Sequence, residues 1–414
     1  MEKRIITKKT ENDNKREITK NLEKEIENNR KVNRLKIFYK NADCLTNKRL
    51  ELLMTIQNLE RKPEVMIAIV EVKPKYSKYP VTASEFNMDG YTLFTNNLDE
   101  RTTRGIIVLV RSEINAKQIE TRGDLQEVVI IEIGSGIKEN TVTITVNYRS
   151  LHSIKENDEA LFKLIDDVSE KGDDLLMVGD FNLPNISWDN WQTYEGGGDN
   201  ETKFINRLRK NFLSQHIMTP TRYRENQVPN VLDLVITNGD FVEAIDIKPP
   251  LGKSDHAVLE IDCSLEHEML NSTKKYNWNR GNYIDLCKYL QSNLDTRTEL
   301  KEIDDINEFW TILRTTIETG VETYVPKVKQ WKKIKWKHPV NAGEKAIIRR
   351  KHRLWNRVKE TNIENKELVE KYRIQRNKVK ARSVQLEKDR QLAIAQDAKK
   401  NPKNSGDLQR AKLP

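Results

Sequence analysis

The chain has 414 residues, of which 33% are charged and 36% are hydrophobic, and its formal net charge is +9. That length is typical of two or three structural units. No apolar run is long enough for a membrane span, and the N-terminus lacks the apolar centre of a secretory signal. The three cysteines, Cys44, Cys263 and Cys287, form no CxxC pair. Their scarcity argues against a zinc knuckle or a disulfide framework and favours a reducing intracellular compartment.

The charge is unevenly distributed along the chain. Residues 327–414 contain 27 Lys and Arg against 9 Asp and Glu, whereas residues 37–326 contain 33 against 47. An acidic body can supply carboxylates for divalent cations, and a basic arm attracts phosphate backbones. Charge that only maintains solubility would give the same distribution.

Residues 1–33 are polar and predict a disordered or transiently helical leader. Beyond them, short apolar runs, many of them β-branched, predict nine strands. These are 35–39, 65–72, 91–95, 105–110, 128–133, 142–148, 174–178, 232–237 and 257–261. Amphipathic segments between some of the strands predict helices at 48–60, 157–171 and 201–215.

The order of these elements predicts an α/β domain over 34–263, with two packed layers of β-sandwich flanked by helices. Strands 128–133 and 142–148 are joined through a Gly-Ser-Gly sequence and predict an antiparallel hairpin. Because neither a GxGxxG sequence nor a P-loop occurs, we expect no nucleotide cofactor.

After Cys263 the apolar spacing becomes helical. Residues 264–326 predict a helical connector, with helices at 283–293 and 306–324. A mostly helical basic tail is predicted over 327–414, with one or two long helices at 344–400. Its apolar stripe is narrow, so we expect it not to bury against a large core.

Polar side chains lie at or near the ends of several predicted strands, where a sheet would hold them rigidly. They are Asn41, Glu71, Tyr148, Asp180, Asn182, Asp233, Ser254, Asp255 and His256. Taken singly, an Asn or Asp at such a position is often a turn former, and a lone His is usually structural. Asp233 is the exception, because an unpaired carboxylate within an apolar strand is costly, and a His is its natural partner.

As a set, these segments resemble the endonuclease/exonuclease/phosphatase superfamily over about 230 residues. The matching segments are YKNADCL, AIVEVK, NYRS, GDFNLPNISW, PTRYRENQVPNVLDLVITN and GKSDHAVL. The amino-acid sequences of these segments are similar to that of the endonuclease of non-long-terminal-repeat retrotransposons of the jockey and chicken-repeat type. The resemblance implies a deoxyribonuclease-like four-layer fold and metal-dependent hydrolysis of DNA phosphodiester bonds.

The resemblance and the chemistry of the residues together suggest roles. Glu71, with Asn41 and Asp255, would hold Mg²⁺ or Mn²⁺, which prefer oxygen ligands. Asp180 would position or deprotonate the attacking water, and Asn182 would orient the water or the phosphate.

The remaining roles concern the phosphate and its surroundings. His256 would contact the scissile phosphate with Asp233 on its other nitrogen, and Tyr148 would lie near the phosphate or the leaving oxygen. Thr221 and Ser254 are further candidates for phosphate contact. Trp331 and Trp336, set among lysines, could stack on exposed bases.

Two departures from the retrotransposon pattern are visible. The family usually has two or three glycines before the strand that here begins at Arg104-Gly105, and an aromatic residue where Val72 follows Glu71. Neither removes a residue to which the resemblance gives a role. The basic tail resembles the connector that precedes reverse transcriptase in these elements. No Tyr-x-Asp-Asp sequence is present, so we expect a truncated product that retains the nuclease.

The expected partners are double-stranded DNA and, through the basic tail, element RNA, with no membrane, and access to DNA would require the nucleus. Two alternatives remain open at this stage. A phosphoesterase of the same fold could act on small phosphodiesters, because substrate choice depends on loops. A non-catalytic nucleic-acid-binding remnant would explain the basic tail.

Overall fold

Two six-stranded sheets form the centre of the fold. A computed structural model of the chain describes residues 33–59, 65–74, 81–100, 102–120, 125, 127–134, 141–195, 197–224, 227–265, 278–295, 306–326, 340–361 and 363–400. The strands are β1 (Asn33–Asn41), β2 (Val65–Val70), β3 (Tyr91–Asn96), β4 (Ile106–Arg111), β5 (Ala116–Ile119), β6 (Val128–Gly134), β7 (Thr141–Tyr148), β8 (Asp174–Asp180), β9 (Ile186–Ser187), β10 (Gln192–Thr193), β11 (Ser214–Gln215), β12 (Asp233–Thr237), β13 (Val242–Lys248) and β14 (Val258–Leu265).

Seven α-helices are found in the described part of the chain. They are α1 (Arg49–Leu59), α2 (Lys155–Ser169), α3 (Asp199–Lys210), α4 (Tyr283–Asp295), α5 (Ile306–Tyr324), α6 (Ala342–Glu360) and α7 (Lys366–Lys400). Short 3-10 helices occur at Ala83–Phe86 and Trp278–Arg280. None of the described helices is long and apolar enough to cross a membrane.

Both sheets are mixed. The first has the order β13-β14-β1-β2-β4-β3 and the second the order β11-β12-β8-β7-β6-β5. One neighbouring pair in each sheet is parallel, β1 with β2 and β7 with β8, and the other pairs are antiparallel. The parallel pairs are connected through α1 and α2, because a parallel pair needs a crossover rather than a tight turn.

The main core lies between the two sheets. Side chains alternate between the faces of a strand, so Ile37 and Tyr39 of β1 enter this core while Phe38 and Lys40 lie on the other face. The second sheet contributes residues such as Val146 of β7 to the same cluster. Helices α2 and α3 cover the outer face of the second sheet in a further buried cluster. The predicted two-layer sandwich flanked by helices is confirmed.

The predicted strands correspond to nine of the observed ones, and the main omission is β13. Its residues are mostly exposed or half-buried, so it lacks the apolar run that identified the others. The helix predicted at 201–215 is too long, because α3 ends at Lys210 and the chain then forms β11. Phe212, which extended the apparent helical spacing, is exposed and has a left-handed φ of 54°.

Helices α6 and α7 form a pair that we call the C-terminal hairpin (residues 342–400). The expectation that the tail would not bury against a core is wrong. Trp355 and Val358 of α6 and Leu368 and Tyr372 of α7 form a buried cluster. Each helix has only a narrow apolar stripe, but the two stripes face each other and share one interface.

The hairpin also packs on the part of the chain that contains the two sheets. Met54 of α1, Ile348 of α6 and Val379 of α7 form a buried cluster. A buried ion pair joins Lys351 of α6 to Glu51 of α1, and Lys351 Nζ also donates to the Pro250 carbonyl oxygen at 2.6 Å. The described residues up to 265 and from 340 onwards therefore form one compact unit.

The described residues between 278 and 326 form a second compact unit, made of α4 and α5. The rings of Tyr289 and Tyr324 lie 5.8 Å apart between centroids. A Cβ at Gly320 of α5 would fall 2.9 Å from a methyl carbon of Leu286, so glycine permits the close approach of these helices.

Candidate active site

The predicted site residues meet at one edge of the paired sheets. Asn41 is the last residue of β1 and pairs with Val70, the residue before Glu71. In the second sheet Asp180 ends β8 and pairs with both Tyr148 of β7 and Asp233 of β12. Because the strand register fixes these neighbours, the sheets themselves position the side chains.

The glycine of the GDFN sequence has a packing role. A Cβ at Gly179 would overlap the carbonyl oxygen of Asn147 on the neighbouring parallel strand. Only glycine therefore lets β8 approach β7 this closely immediately before Asp180. Asn182, two residues further on, has a left-handed φ of 47°, a conformation that Asn tolerates better than most residues.

A buried aspartate–histidine pair forms the first half of the site. Asp233 Oδ2 lies 2.8 Å from His256 Nδ1, and the Tyr39 hydroxyl donates to Asp233 Oδ1 at 3.0 Å. Asp233 is fully buried and His256 is 6% exposed. The other ring nitrogen, His256 Nε2, lies 3.8 Å from Asp180 Oδ2. The pairing expected for Asp233 is therefore present in the geometry.

The electrostatics of this pair favour a charged imidazole. Burial lowers the pKa of His256, but the carboxylates of Asp233 and Asp180 outweigh this effect and the net shift is upward. Burial raises the pKa of Asp180, and Asp233 and Glu71 raise it further. Burial alone would also raise the pKa of Asp233, but His256 holds it below its usual value. The site thus combines a stable imidazolium–carboxylate pair with a second carboxyl group that binds a proton more readily than usual.

A second cluster contains Glu71 and Asn41. The Asn41 Nδ2 donates to Glu71 Oε1 and to Asp180 Oδ2, both at 2.8 Å, and Asn41 Oδ1 accepts from the Asp43 backbone amide at 3.0 Å. Glu71 has a left-handed φ of 53° immediately after β2. Such a conformation costs free energy in a non-glycine residue and is often retained where function requires it.

Arg104 is a residue of the site that the sequence did not identify. Its guanidinium forms an ion pair with Glu71 and lies 3.1 Å from Asp43 Oδ1. The backbone amides of Arg104 and Gly105 donate to Glu127 Oε1, at 2.5 and 2.8 Å. One signal in the sequence could have pointed to Arg104. It directly precedes Gly105, at the place where the retrotransposon family usually has two or three glycines.

Other residues support the site from behind. Lys40 is fully buried and donates to Ser254 Oγ at 2.9 Å and to the His256 carbonyl oxygen. Burial lowers the pKa of Lys40 to about 7. Arg149 makes a bidentate ion pair with Asp158, at 2.7 and 2.9 Å. The sequence analysis did not identify Lys40 or Arg149, because a pattern of apolar residues does not predict which charged side chains are buried.

Asn182 and Tyr148 complete the predicted catalytic set. Asn182 Nδ2 donates to the Arg149 carbonyl oxygen at 2.7 Å, and its backbone amide donates to Asp180 Oδ1 at 3.1 Å. Tyr148 is half-buried beside the same groove, and burial raises the pKa of its hydroxyl strongly. It is therefore a neutral hydrogen-bond donor at any physiological pH.

The candidates for phosphate contact lie in different surroundings. Ser254 is 5% exposed, and its hydroxyl donates to the Asn41 carbonyl oxygen at 3.0 Å. Thr221 is fully buried, and its hydroxyl accepts from the backbone amides of Leu232 and Asp233, at 3.2 and 3.0 Å. Both phosphate contacts stay predictions, and Trp331 and Trp336 lie outside the described residues.

Two arrangements of ligand atoms could be considered for a cation. Asp180, Asp233 and His256 have ligand atoms within 4.8 Å of one another. The hydrogen bonds described above already engage both Asp233 oxygens and His256 Nδ1, so a metal would compete with an established pair. Glu71 and Asp43 instead both form ion pairs with the Arg104 guanidinium. Two neighbouring carboxylates provide the oxygen ligands that Mg²⁺ and Mn²⁺ prefer. Asp255, the third predicted ligand, is paired with Arg222 at 3.0 Å.

Several of these groups, including Glu71, Asp180 and His256, line one groove of about 1480 Å³. Its walls include residues from 148–157, 222–224 and 227–229, the loop that carries His256, and the C-terminal hairpin. The groove is large enough to hold several nucleotides or a comparable phosphodiester.

Comparisons with known proteins agree with this arrangement. The family model described as "Endonuclease-reverse transcriptase" matches residues 142–260. A search of curated protein sequences gives no match.

Many solved structures resemble this chain, and the following three each cover 56% of it. The first is the endonuclease domain of TRAS1, a telomere-specific non-LTR retrotransposon, with 15% identity, 100% of that chain covered and a TM-score of 0.43. The second is the AP endonuclease LMAP from Leishmania major, with 12% identity, 88% covered and a TM-score of 0.45. The third is a 3′–5′ exonuclease from Neisseria meningitidis, with 14% identity, 100% covered and a TM-score of 0.41.

The matched residues include β7, β8, β12 and β13, with Asp180, Asp233 and His256. They thus contain both members of the aspartate–histidine pair and the carboxylate beside it. Over residues 142–260 the chain is therefore similar to the endonuclease–reverse transcriptase family, and the two mixed six-stranded sheets hold these side chains at one edge.

Proposed function

We propose that the chain is a metal-dependent endonuclease that nicks double-stranded DNA and leaves a 3′-hydroxyl end. The observation that carries the proposal is the His256–Asp233 pair beside the Asp180 carboxyl group in one groove. Phosphodiester hydrolysis needs an activated water, compensation of negative charge and a proton for the leaving oxygen. The groove contains groups suited to each need.

Asp180 is the proposed general base. Its pKa is raised by burial, and a base is most effective when its pKa is near the working pH. Asp180 accepts a proton from water as the water oxygen bonds to phosphorus, and the bond between phosphorus and the 3′ oxygen breaks. Asn182, whose backbone amide donates to Asp180 Oδ1 at 3.1 Å, helps to orient the water or the phosphate.

His256 is proposed to contact the scissile phosphate through Nε2, because its Nδ1 is held by Asp233. A charged imidazole compensates the negative charge that develops on the phosphoryl oxygens. Tyr148 is a neutral donor at the groove and is proposed to donate a hydrogen bond to the departing 3′ oxygen, which takes up a proton from solvent. Glu71, with Asn41 and Asp255, would hold the divalent cation, and when bound the cation would neutralise further charge on the phosphate.

Retention of a 3′-hydroxyl would suit a nick that primes synthesis. The description of the family model, endonuclease–reverse transcriptase, supports a role in target-site nicking for a retrotransposon. The basic helices support DNA as the substrate, because lysine and arginine bind phosphate backbones.

The test is conversion of supercoiled plasmid to the nicked form with Mg²⁺ or Mn²⁺, with and without excess chelator. We expect nicking only when the metal is free to bind, and we expect the nick to be extended by a polymerase without end repair. His216→Asn is the matched control for His256→Asn, because His216 directly follows β11, lies 2.7 Å from the Thr237 hydroxyl through Nε2 and does not line the groove. Equal nicking in excess chelator would contradict the proposal, and so would hydrolysis of small phosphodiesters without any action on plasmid.

A further inference from the structure

The C-terminal hairpin forms one wall of the catalytic groove. Lys366, Arg373 and Arg376 of α7 line the same groove as Asp180 and His256. The sequence analysis placed these residues in a separate basic tail. Their position beside the reacting groups gives them a different significance, because any polymer that reaches Asp180 must pass along this wall.

The wall is attached to the loop that carries the catalytic histidine. The ring of Trp355 lies edge-on to the ring of Tyr223, with 5.0 Å between centroids. The Tyr223 backbone amide donates to the Asp255 carbonyl oxygen at 2.7 Å, and Asp255 directly precedes His256. The hairpin is thus fixed relative to the reacting groups rather than free to search for substrate.

Three side chains of the hairpin that line the groove have a buried hydrogen-bond donor without a partner among the described residues. Trp355 and Tyr372 are 4% and 5% exposed. The indole nitrogen of Trp355, the hydroxyl of Tyr372 and the Nε of Arg376 are buried and have no hydrogen-bond partner among the described residues. Unsatisfied buried polar groups are uncommon, and each one calls for a partner such as water or a ligand. Three donors together favour a ligand that accepts hydrogen bonds.

Charge supports the same conclusion. Arg373 and Arg376 are three residues apart on α7 and therefore share a face of the helix. Glu364 and Glu370 also line the groove, and Arg373 lies 3.6 Å from Glu370, so one of the two arginines is partly compensated. Arg376, beside the buried donors, forms no ion pair with a carboxylate of the described residues. A guanidinium binds a phosphate group through two parallel hydrogen bonds, which a carbonyl or hydroxyl ligand cannot match.

We propose that Arg373 and Arg376 of the C-terminal hairpin bind phosphates of the nucleic-acid strand that flank the scissile bond. The inference rests on the proposed function, because it takes DNA as the polymer in the groove. It assigns the hairpin a binding role within the catalytic groove itself, with the chain's own α7 as the surface that selects a polymeric phosphodiester over a small one.

The experiment measures binding in a catalytically inactive His256→Ala background. The double variant Arg373→Gln/Arg376→Gln is compared with Lys378→Gln/Lys380→Gln, whose lysines are exposed on the same helix and do not belong to the lining of the groove. Fluorescence anisotropy with a labelled DNA duplex gives Kd over a range of salt concentrations. Both double variants remove two positive charges, so the comparison isolates position.

We expect the arginine variant to bind at least about tenfold more weakly and its salt slope to fall by about two, since each lost phosphate contact lowers the slope by about 0.9. The lysine control should change Kd by about twofold or less. Equal effects of the two double variants would overturn the inference. Tighter binding by the arginine variant would also overturn it, because the hairpin would then obstruct the groove.

Two further measurements keep the result decisive. If the arginine variant fails to fold, as judged by circular dichroism and thermal melting, Arg376→Lys replaces it. This variant keeps the charge but loses the bidentate geometry, and an affinity equal to that of the background would overturn the inference. In the active background, the arginine variant should lower plasmid nicking by a larger factor than it lowers the rate on bis-p-nitrophenyl phosphate. A wild-type protein that hydrolyses neither substrate would sink the proposed function, whereas the binding comparison would still decide the role of the hairpin.

Discussion

The buried ion pair between Lys351 and Glu51 offers a direct test of how the C-terminal hairpin is attached. Both side chains are 4% exposed. Lys351 also donates to the Pro250 carbonyl oxygen at 2.6 Å, and Glu51 Oε2 accepts from the Gly252 backbone amide at 3.2 Å. The pair therefore joins α6, α1 and the loop that leads to His256.

Lys351→Ala would leave the Glu51 carboxylate buried without its counter-charge. Breaking a buried pair in this way typically costs about 3–5 kcal/mol, whereas replacing both partners is often close to neutral. We therefore expect Lys351→Ala to destabilise the unit by about 3–5 kcal/mol. The double variant Lys351→Met/Glu51→Gln should recover most of the loss, because Gln can still accept from Gly252.

The assay should report on the nuclease unit alone, because the chain has two compact units and a single unfolding curve would mix them. Hydrogen exchange of amides in α1 and α6 under native conditions meets this requirement. Arg350→Ala is the control, since Arg350 is exposed on the same helix and should change stability by about 0.5 kcal/mol or less. If Lys351→Ala were as stable as Arg350→Ala, the hairpin would not be anchored through this pair.

Three further predictions concern the catalytic groove. His256→Ala should lower plasmid nicking by roughly 10²–10⁴-fold, the usual loss for a positioned acid or base. Asp233→Asn should lower nicking less, because the imidazole remains but loses its charged partner. If Asp233→Asn unfolded the protein, the role of Asp233 would be structural. Glu71→Gln should weaken Mn²⁺ binding by at least about tenfold in a titration followed by electron paramagnetic resonance, because a carboxylate ligand loses its charge. The control Asp246→Asn, on the exposed strand β13, should have no effect. Equal Mn²⁺ affinities of the two variants would show that Glu71 is not a ligand. Arg104→Gln should tighten Mn²⁺ binding to the metal-free protein by at least about fivefold, since the repulsion from a unit charge about 4 Å away is worth about 1 kcal/mol even in water. Unchanged or weaker binding in the same titration would show that the guanidinium does not compete with the ion.

The sequence by itself determined the centre of the fold. Strands such as β4 and β8 are nearly continuous apolar runs because both of their faces are buried, and such runs are visible without a structure. The polar residues that interrupt or end them, including Asp180 and Asp233, were identifiable for the same reason. Their cost in an apolar setting requires a compensating partner.

Only the tertiary structure decided which groups surround those residues. Arg104 and Lys40 belong to the site through contacts with residues that are distant in sequence, Glu71 and Ser254. Local patterns contain no information about such contacts. Strand β13 was missed because it is half-exposed and its side chains do not form an apolar run.

The position of the C-terminal hairpin shows the same limit most clearly. Its charge and helical spacing were evident from the sequence, but each helix alone has too narrow an apolar stripe to predict burial. Burial depends on the pairing of α6 with α7 and on contacts with distant residues of the chain. Trp355 contacts Tyr223, and Lys351 pairs with Glu51. Because the free energy of packing belongs to the pair of surfaces and not to either one, only the folded chain could place this basic segment beside the catalytic groove.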